Sequence, residues 1–352
     1  MVARVSLGGP KLRIELSNAR GRGSVTIGSA RVALARHSNT GLTLRPGSDR
    51  IITVGGRKAF SIEPGALIVS DPVDLPVPAY SDLVVSLYVP SNTTALTVHS
   101  LGLHTTYISN GDTTGNDTLG SQSENKSYFW LTGIDVLAPA DAAALVTFGD
   151  SITDGFATTP DTDRAWPTQL AKRLIDNPST ATVSVLNVGI SGNRLLHDGA
   201  GTNALARFDR DVLARPGVRW ILLLEGINDI SFSAIPGAPP TEHVTRDELI
   251  EGYRKFIEKA HVHGIQIVGA TILPWEGVWT FNEPAEGQRQ ELNHWILTCG
   301  LFDRVIDFDA ITRDPAHPRR LLPRYDSGDH VHPNDAGNEA MARAVNLAFF
   351  GK

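Results

Sequence analysis

The 352-residue chain predicts two domains of different class. Residues 1–140 read as an all-β domain of sandwich or jelly-roll type, and residues 141–352 as an α/β domain built on a parallel sheet. Three observations predict this. The length is more than one ordinary core requires. Before residue 140 short strand-like runs follow one another at close spacing with turn residues between them. After residue 140 strand-like and helix-like runs take turns, and the strands are apolar throughout, as expected of a parallel sheet covered on both faces.

In the first half the runs KLRIELSN, SVTIGSARVALA, RKAFSIEPG, LIVSDPVDL, DLVVSLYVP and TALTVHS are separated by Gly and Pro, and no convincing helix interrupts them. Such a pattern suggests strands that each bury one face. Residues 109–127, SNGDTTGNDTLGSQSENKS, are polar and turn-rich and predict a long surface loop ahead of the apolar SYFWLTGIDVLAP. Asn92, Asn116 and Asn125 begin N-x-[ST] triplets. In a loop so rich in Asn and Thr these are chance matches unless the chain is exported.

In the second half Leu145–Phe148 predicts a buried strand ended by the turn residues Gly149 and Asp150. In WPTQLAKRLIDN, Pro167 suits a first helical position and Leu170, Leu174 and Ile175 form one apolar face. VSVLNVG and VRWILLLEG predict further strands. Thr245 and Glu248 have capping-box spacing at the start of a helix that turns Leu249, Tyr253, Phe256, Ile257 and Ala260 inward and ends near Gly264. IQIVGATIL and RVIDFD are the last strands. A final helix begins after His332 with Asn334 as N-cap and Met341, Val345 and Phe349 as apolar contacts.

Charge and composition exclude several function classes. A net charge of -6, dispersed along the chain, gives no electrostatic case for nucleic acid or for an anionic membrane surface. No apolar stretch approaches the roughly 18 residues that span a bilayer. The N-terminal residues lack the apolar core of a secretory signal, so the compartment stays open: cytoplasmic by default, extracytoplasmic if an export leader has been removed. The single cysteine, Cys299, excludes an intrachain disulfide and a paired-cysteine zinc site; its helical spacing behind Leu292 and Ile296 suggests core packing. No metal or cofactor is expected, because no histidine pairs with carboxylates at ligand spacing. Oligomeric state is not legible.

Ligands of open α/β sheets bind outside the carboxyl ends of the strands, so reactive residues are expected just after strands. Four such places exist: LVTF is followed by GDS, VSVLNV by GISGN, and WILLLE by GIND, while RVIDFD leads after a long loop to DHVHPND. In order and approximate spacing these blocks resemble the SGNH hydrolases, the GDSL family of esterases and lipases, over residues from about 145 to 352. The resemblance implies a flavodoxin-like three-layer domain and a set of roles: Ser151 as nucleophile, Gly192 and Asn228 as oxyanion donors, Asp329 and His332 as the Asp-x-x-His pair. The first half also resembles the β-sandwich that precedes this domain in some bacterial members.

The chemistry of these residue types fits the implied roles. A serine hydroxyl needs a neighbouring base, and imidazole can act as one near neutrality. A carboxylate on the other ring nitrogen fixes the tautomer and stabilises the imidazolium. Attack on an ester puts negative charge on the carbonyl oxygen, which the backbone N–H groups of Ser151 and Gly192 and the Asn228 amide could hold. The rivals are His330 as base and Ser191 as nucleophile. Asp150 and Asp154 read as loop-shaping residues, and Asn193 and Arg194 either order the second-block loop or lie solvated. Trp275, Trp279 and Phe281, after IQIVGATIL, either wall the alcohol part of a substrate or pack their loop onto the domain. The expectation is a serine esterase for short, acetyl-type esters with a small-molecule or carbohydrate substrate, carbohydrate deacetylation being one form of it. The different-class alternative is an inactive carbohydrate-binding protein.

Overall fold

The computed structural model describes residues 1–351 except 39, 40, 92, 94 and 95. The Asn92 triplet therefore lies outside the described residues, as do Thr94 and Ala95 of the run TALTVHS. The chain divides into two compact units, Met1–Asp141 and Ala142–Lys352.

The first unit is all-β and antiparallel. One sheet contains Val2–Val5, Ser81–Tyr88 and Ser29–Ser38 as adjacent strands, with Gly41–Leu44 and Arg50–Ile51 both paired to the last of these. A second sheet pairs Gly9–Ser17 with Leu131–Val136, Leu67–Val69 and Val73–Val77. Leu12, Ile14 and Leu16 of the second sheet share one buried cluster with Val32, Leu83 and Val85 of the first, the packing of a sandwich. The run SVTIGSARVALA gives two strands, Val25–Ile27 and Ser29–Ser38, broken at Gly28. The predicted loop at 109–127 is not wholly irregular, because Ser123–Asn125 pairs with Thr106–Ile108. Backbone pairing supports that strand although its three side chains are all exposed.

The second unit carries five parallel strands, numbered here within this unit: β1 (Ala143–Gly149), β2 (Val183–Asn187), β3 (Val218–Leu224), β4 (Gln266–Ala270) and β5 (Arg304–Ile306). Their spatial order is β2-β1-β3-β4-β5, the flavodoxin-like order, which places a topological switch point at β1. Every residue of β1 is buried, so both faces of the sheet centre are covered. The helices are α1 (Ser151–Asp154), α2 (Trp166–Asp176), α3 (Ala204–Phe208), α4 (Ile227–Ser233), α5 (Arg246–Val262), α6 (Glu283–Thr298), α7 (Phe308–Thr312) and α8 (Asp335–Ala344). Apart from α1, which packs on β1, they fall into two packed groups, α2 with α7 and α8, and α3 to α6 together, which form the outer two of three layers.

The helix signals read from sequence have physical counterparts. Thr245 and Glu248 form a reciprocal capping box at α5, and all five predicted inward residues are buried. Asn334 caps α8 by accepting from the N–H groups of Ala336 and Gly337. That helix ends at Ala344, so Val345 packs as its cap residue and Phe349 lies in a following 3-10 turn. Cys299 is half-buried at the end of α6 against the core. Among the described residues no helix is long and apolar enough to cross a membrane.

Candidate active site

Register places the strand ends side by side. Gly149 of β1 lies opposite Leu224 of β3, and Thr147 of β1 opposite Asn187 of β2. The segments that follow these strands therefore emerge together at one edge of the sheet. A side chain at Gly149 has no room, because a Cβ there would come within 2.4 Å of both the Thr153 hydroxyl and the Leu224 carbonyl oxygen. The chain then turns into α1. Asp150 caps it by accepting from the Ile152 N–H (2.9 Å), and Ser151 stands at its first position.

Ser151 Oγ–H donates to His332 Nε2 at 2.8 Å. On the other side of the ring, His332 Nδ1–H donates to Asp329 Oδ2 at 2.6 Å, which assigns the tautomer with Nε2 as acceptor. The same carboxylate receives the backbone N–H groups of His332 (2.9 Å) and Val331 (3.1 Å) through Oδ1. Partial burial pushes the Asp329 carboxyl up, but these hydrogen bonds together with the imidazole hold it well below the usual carboxylate range. It is ionised wherever the imidazole can act. Phe156, just after α1, lays its ring 4.4 Å from that of His332, centroid to centroid, a contact the sequence did not announce.

Gly192 follows β2 with φ +78, a left-handed backbone in which glycine is favoured; an added Cβ would also meet Ala200 at 2.8 Å. Among the described residues the backbone N–H groups of Ser151 and Gly192 have no hydrogen-bond acceptor. Asn228 lies in the first turn of α4, after β3. Its amide donates one N–H to the Asn193 carbonyl (2.9 Å), which fixes the amide plane and leaves its second N–H available.

The rivals are placed differently. Ser191 donates its hydroxyl to Asp154 Oδ2 (2.8 Å), which also receives the Ser191 backbone N–H. His330 pairs through Nδ1 with Asp326 Oδ2 (2.7 Å), so two separate histidine–aspartate pairs share this loop. Asn193 and Arg194 are both buried, and Arg194 pairs with Glu242; the solvated reading of these two is corrected. Trp275, read as a wall for the substrate, requires correction too. It is wholly buried, its Nε1–H donates to Glu286 Oε2 (2.9 Å), and Phe281 packs on it, so these two aromatics hold the loop to the domain. Trp279 is 74% exposed.

Beneath the site lies a set of buried ionisable groups, of which the sequence singles out only Asp150. Arg207 of α3 is buried. Its Nε–H donates to Asn193 Oδ1 (2.8 Å), its Nη1 to the Val188 carbonyl (2.7 Å) and Asp211 (2.9 Å), and its Nη2 to the Gly149 carbonyl (3.1 Å). The guanidinium also stacks 3.7 Å from the centre of the Phe148 ring. One cation thus ties the end of β1 to the segment after β2. Around it burial pushes the Asp150 carboxyl up to about 7 and that of Asp229 to about 6. Burial and the neighbouring Asp150 push Glu225 well above its ordinary value. Asp229 accepts the N–H groups of Leu195 and Leu196 and so shapes the same segment. Among the described residues no group of three or more His, Cys, Asp or Glu side chains is placed to hold a metal ion.

Comparison with known proteins gives one family: the model described as GDSL-like lipase/acylhydrolase matches residues 147–340. No curated protein matches significantly. Similar solved structures include an acetylxylan esterase from Geobacillus stearothermophilus, 22% identical, covering 57% of this chain and 91% of that one with a TM-score of 0.45. Another is a GDSL-like lipase from Bacteroides thetaiotaomicron, 20% identical, covering 58% of this chain and 86% of that one with a TM-score of 0.43.

Proposed function

Because the chain belongs to the GDSL-like lipase/acylhydrolase family, we propose that it is a serine esterase that hydrolyses short, acetyl-type carboxylic esters through an acyl-enzyme on Ser151. The observation that carries the reading is the continuous chain Ser151 Oγ, His332 Nε2, His332 Nδ1, Asp329 Oδ2, with links of 2.8 and 2.6 Å.

In the first half-reaction Ser151 Oγ bonds to the ester carbonyl carbon while its proton passes to His332 Nε2. The negative charge that develops on the carbonyl oxygen is met by the N–H groups of Ser151 and Gly192 and the second N–H of Asn228. The bond to the alcohol oxygen then breaks, and that oxygen takes the proton from His332 Nε2. In the second half-reaction water gives its proton to the same nitrogen and attacks the acyl carbon, and the proton returns to Ser151 as the acid leaves. Asp329 orients the ring and balances its charge in both halves without taking the proton.

The short-acyl part rests on the strand-end segments GDSITDG, GISGNRLLHDGAGTN and GINDISFS. They are dominated by small and polar residues and offer little of the broad apolar surface a long acyl chain requires. Deacetylation of a carbohydrate is one form of this reaction. Values of kcat/KM for esters from acetyl to octanoyl test the reading: the highest is expected for acetyl, and a steady rise to octanoyl would overturn it. A binding protein without activity would turn over none of them.

A further inference from the structure

During ester cleavage the departing alcohol takes its proton from His332 Nε2, so the alcohol leaves on the His332 side of the site. The segment between β4 and α6 is tied by two contacts to segments that carry site residues. Gly277 packs directly on the His330 ring: a Cβ at this glycine would lie 2.7 Å from ring carbons, and its φ of +120 keeps the backbone in glycine territory. Three residues on, the Thr280 hydroxyl bonds to that of Ser231 at 2.7 Å. Ser231 stands one helical turn after Asn228 on the same face of α4. The segment therefore touches both the loop that carries His332 and the helix that carries Asn228. Val278 packs inward and Thr280 is buried, which turns the intervening Trp279 out to 74% exposure.

His330 is held in an unusual way for an exposed side chain. Its φ is +70, a strained conformation for a residue with a Cβ. Asp326 fixes it twice, through the ring Nδ1 (2.7 Å) and through the backbone N–H (3.0 Å). With Nδ1–H donating to the carboxylate, Nε2 is an acceptor. Among the described residues it has no partner, and the side chain is half exposed.

We propose that Trp279 and His330 form a subsite for the alcohol part of the substrate, and that the alcohol it takes is a polyhydroxylated ring of the sugar class. The indole supplies a flat apolar surface for the C–H face of the ring, and His330 Nε2 accepts a hydrogen bond from one of its hydroxyls. The inference rests on the esterase reading and deepens it: it assigns what lies beyond the scissile bond.

The test compares an acetylated methyl xyloside with ethyl acetate, whose alcohol is too small to reach the subsite, in the wild type and in Trp279→Ala and His330→Asn. Asparagine tolerates the left-handed backbone, and Trp279 is on the surface, so both variants keep the fold. The ratio of kcat/KM for the sugar ester to that for ethyl acetate is expected to fall about tenfold in each variant, the scale of one stacking or hydrogen-bond contact, with ethyl acetate turnover unchanged. An unchanged ratio in either variant would overturn the assignment of that residue. A parallel loss on both esters would overturn the subsite and place the residue in the catalytic machinery or the fold. A wild type that cleaves ethyl acetate but not the sugar ester would overturn the sugar class alone. A wild type that cleaves neither ester and resists a serine-directed organophosphonate would remove the esterase reading itself, and the subsite with it.

Discussion

The roles proposed for single residues differ in what their loss should do. Asn228→Ala removes a donor needed only when charge develops on the carbonyl oxygen. It should lower kcat by about 10²–10³, roughly 2.7–4 kcal/mol, with KM little changed. A change confined to KM would make Asn228 a ground-state contact. Arg207 never reaches the substrate but holds the Asn193 side chain, and the Asn193 carbonyl in turn receives the Asn228 amide. Arg207→Lys keeps the charge and cannot reproduce the fork of bonds to Asn193, Val188 and Gly149. It should therefore lower kcat through the same donor, and its effect in an Asn228→Ala background should be much smaller than in the wild type. Equal effects in both backgrounds would reduce Arg207 to a packing role. The sequence marked Asn228 by its place after a strand, but it hid Arg207. An arginine in ALARFDRDVLA reads as part of a solvated helix face, and only tertiary packing shows it buried under the site. The two tryptophans teach the same lesson: four residues apart in one segment, one is core and the other surface, and composition does not separate them.

Among the elements, the capped helices α5 and α8 make a matched comparison. Asn334 caps α8, and its Nδ2 also donates to the carbonyls of Arg324 and Asp326, at the base of the segment that carries Asp329 and His332. Thr245 caps α5 and closes its capping box with Glu248. Either residue changed to Ala should lower stability by about 0.5–2 kcal/mol, read as the unfolding free energy in denaturant. Asn334→Ala should also lower kcat, because its segment loses two anchors, whereas Thr245→Ala should leave kcat unchanged. Equal kcat values would show that Asn334 serves only the helix. Both caps were legible in sequence, since capping depends on residues a few positions apart. The five parallel strands were legible for a similar reason: they are largely apolar runs bounded by turn residues, buried in β1, β3 and β4 and partly exposed in β2 and β5. Less legible were the short or exposed strands Gly41–Leu44, Arg50–Ile51 and Ser123–Asn125, which are held by pairing with distant segments.

The whole chain combines an antiparallel all-β unit and a hydrolase unit, the first of which we propose to be an accessory to the second. The buried carboxyls beneath the site set a pH dependence for stability. Asp150, Glu225 and Asp229 have pKa values raised in the folded state, so the native protein binds more protons than the unfolded chain between the ordinary carboxylate range and those raised values. Their contribution is fully present below the unfolded values and is lost as pH rises through the folded ones, about 6 for Asp229 and about 7 for Asp150. Asp329 works in the opposite direction, and its effect is complete before this range begins. Asp150→Asn keeps the acceptor for the Ile152 N–H and removes the charge, so it should raise Tm at pH 8 more than at pH 5. The reverse order would contradict a protonated Asp150 in the native state.

The central claim is that Ser151 is the nucleophile activated by His332. Mass mapping of the site modified by a serine-directed organophosphonate tests it most directly. The account predicts one adduct, on the peptide containing Ser151, absent in Ser151→Ala and formed far more slowly in His332→Ala, with esterase activity falling about 10⁴-fold or more in both variants. An adduct at Ser191, or equal labelling of the wild type and Ser151→Ala, would contradict it.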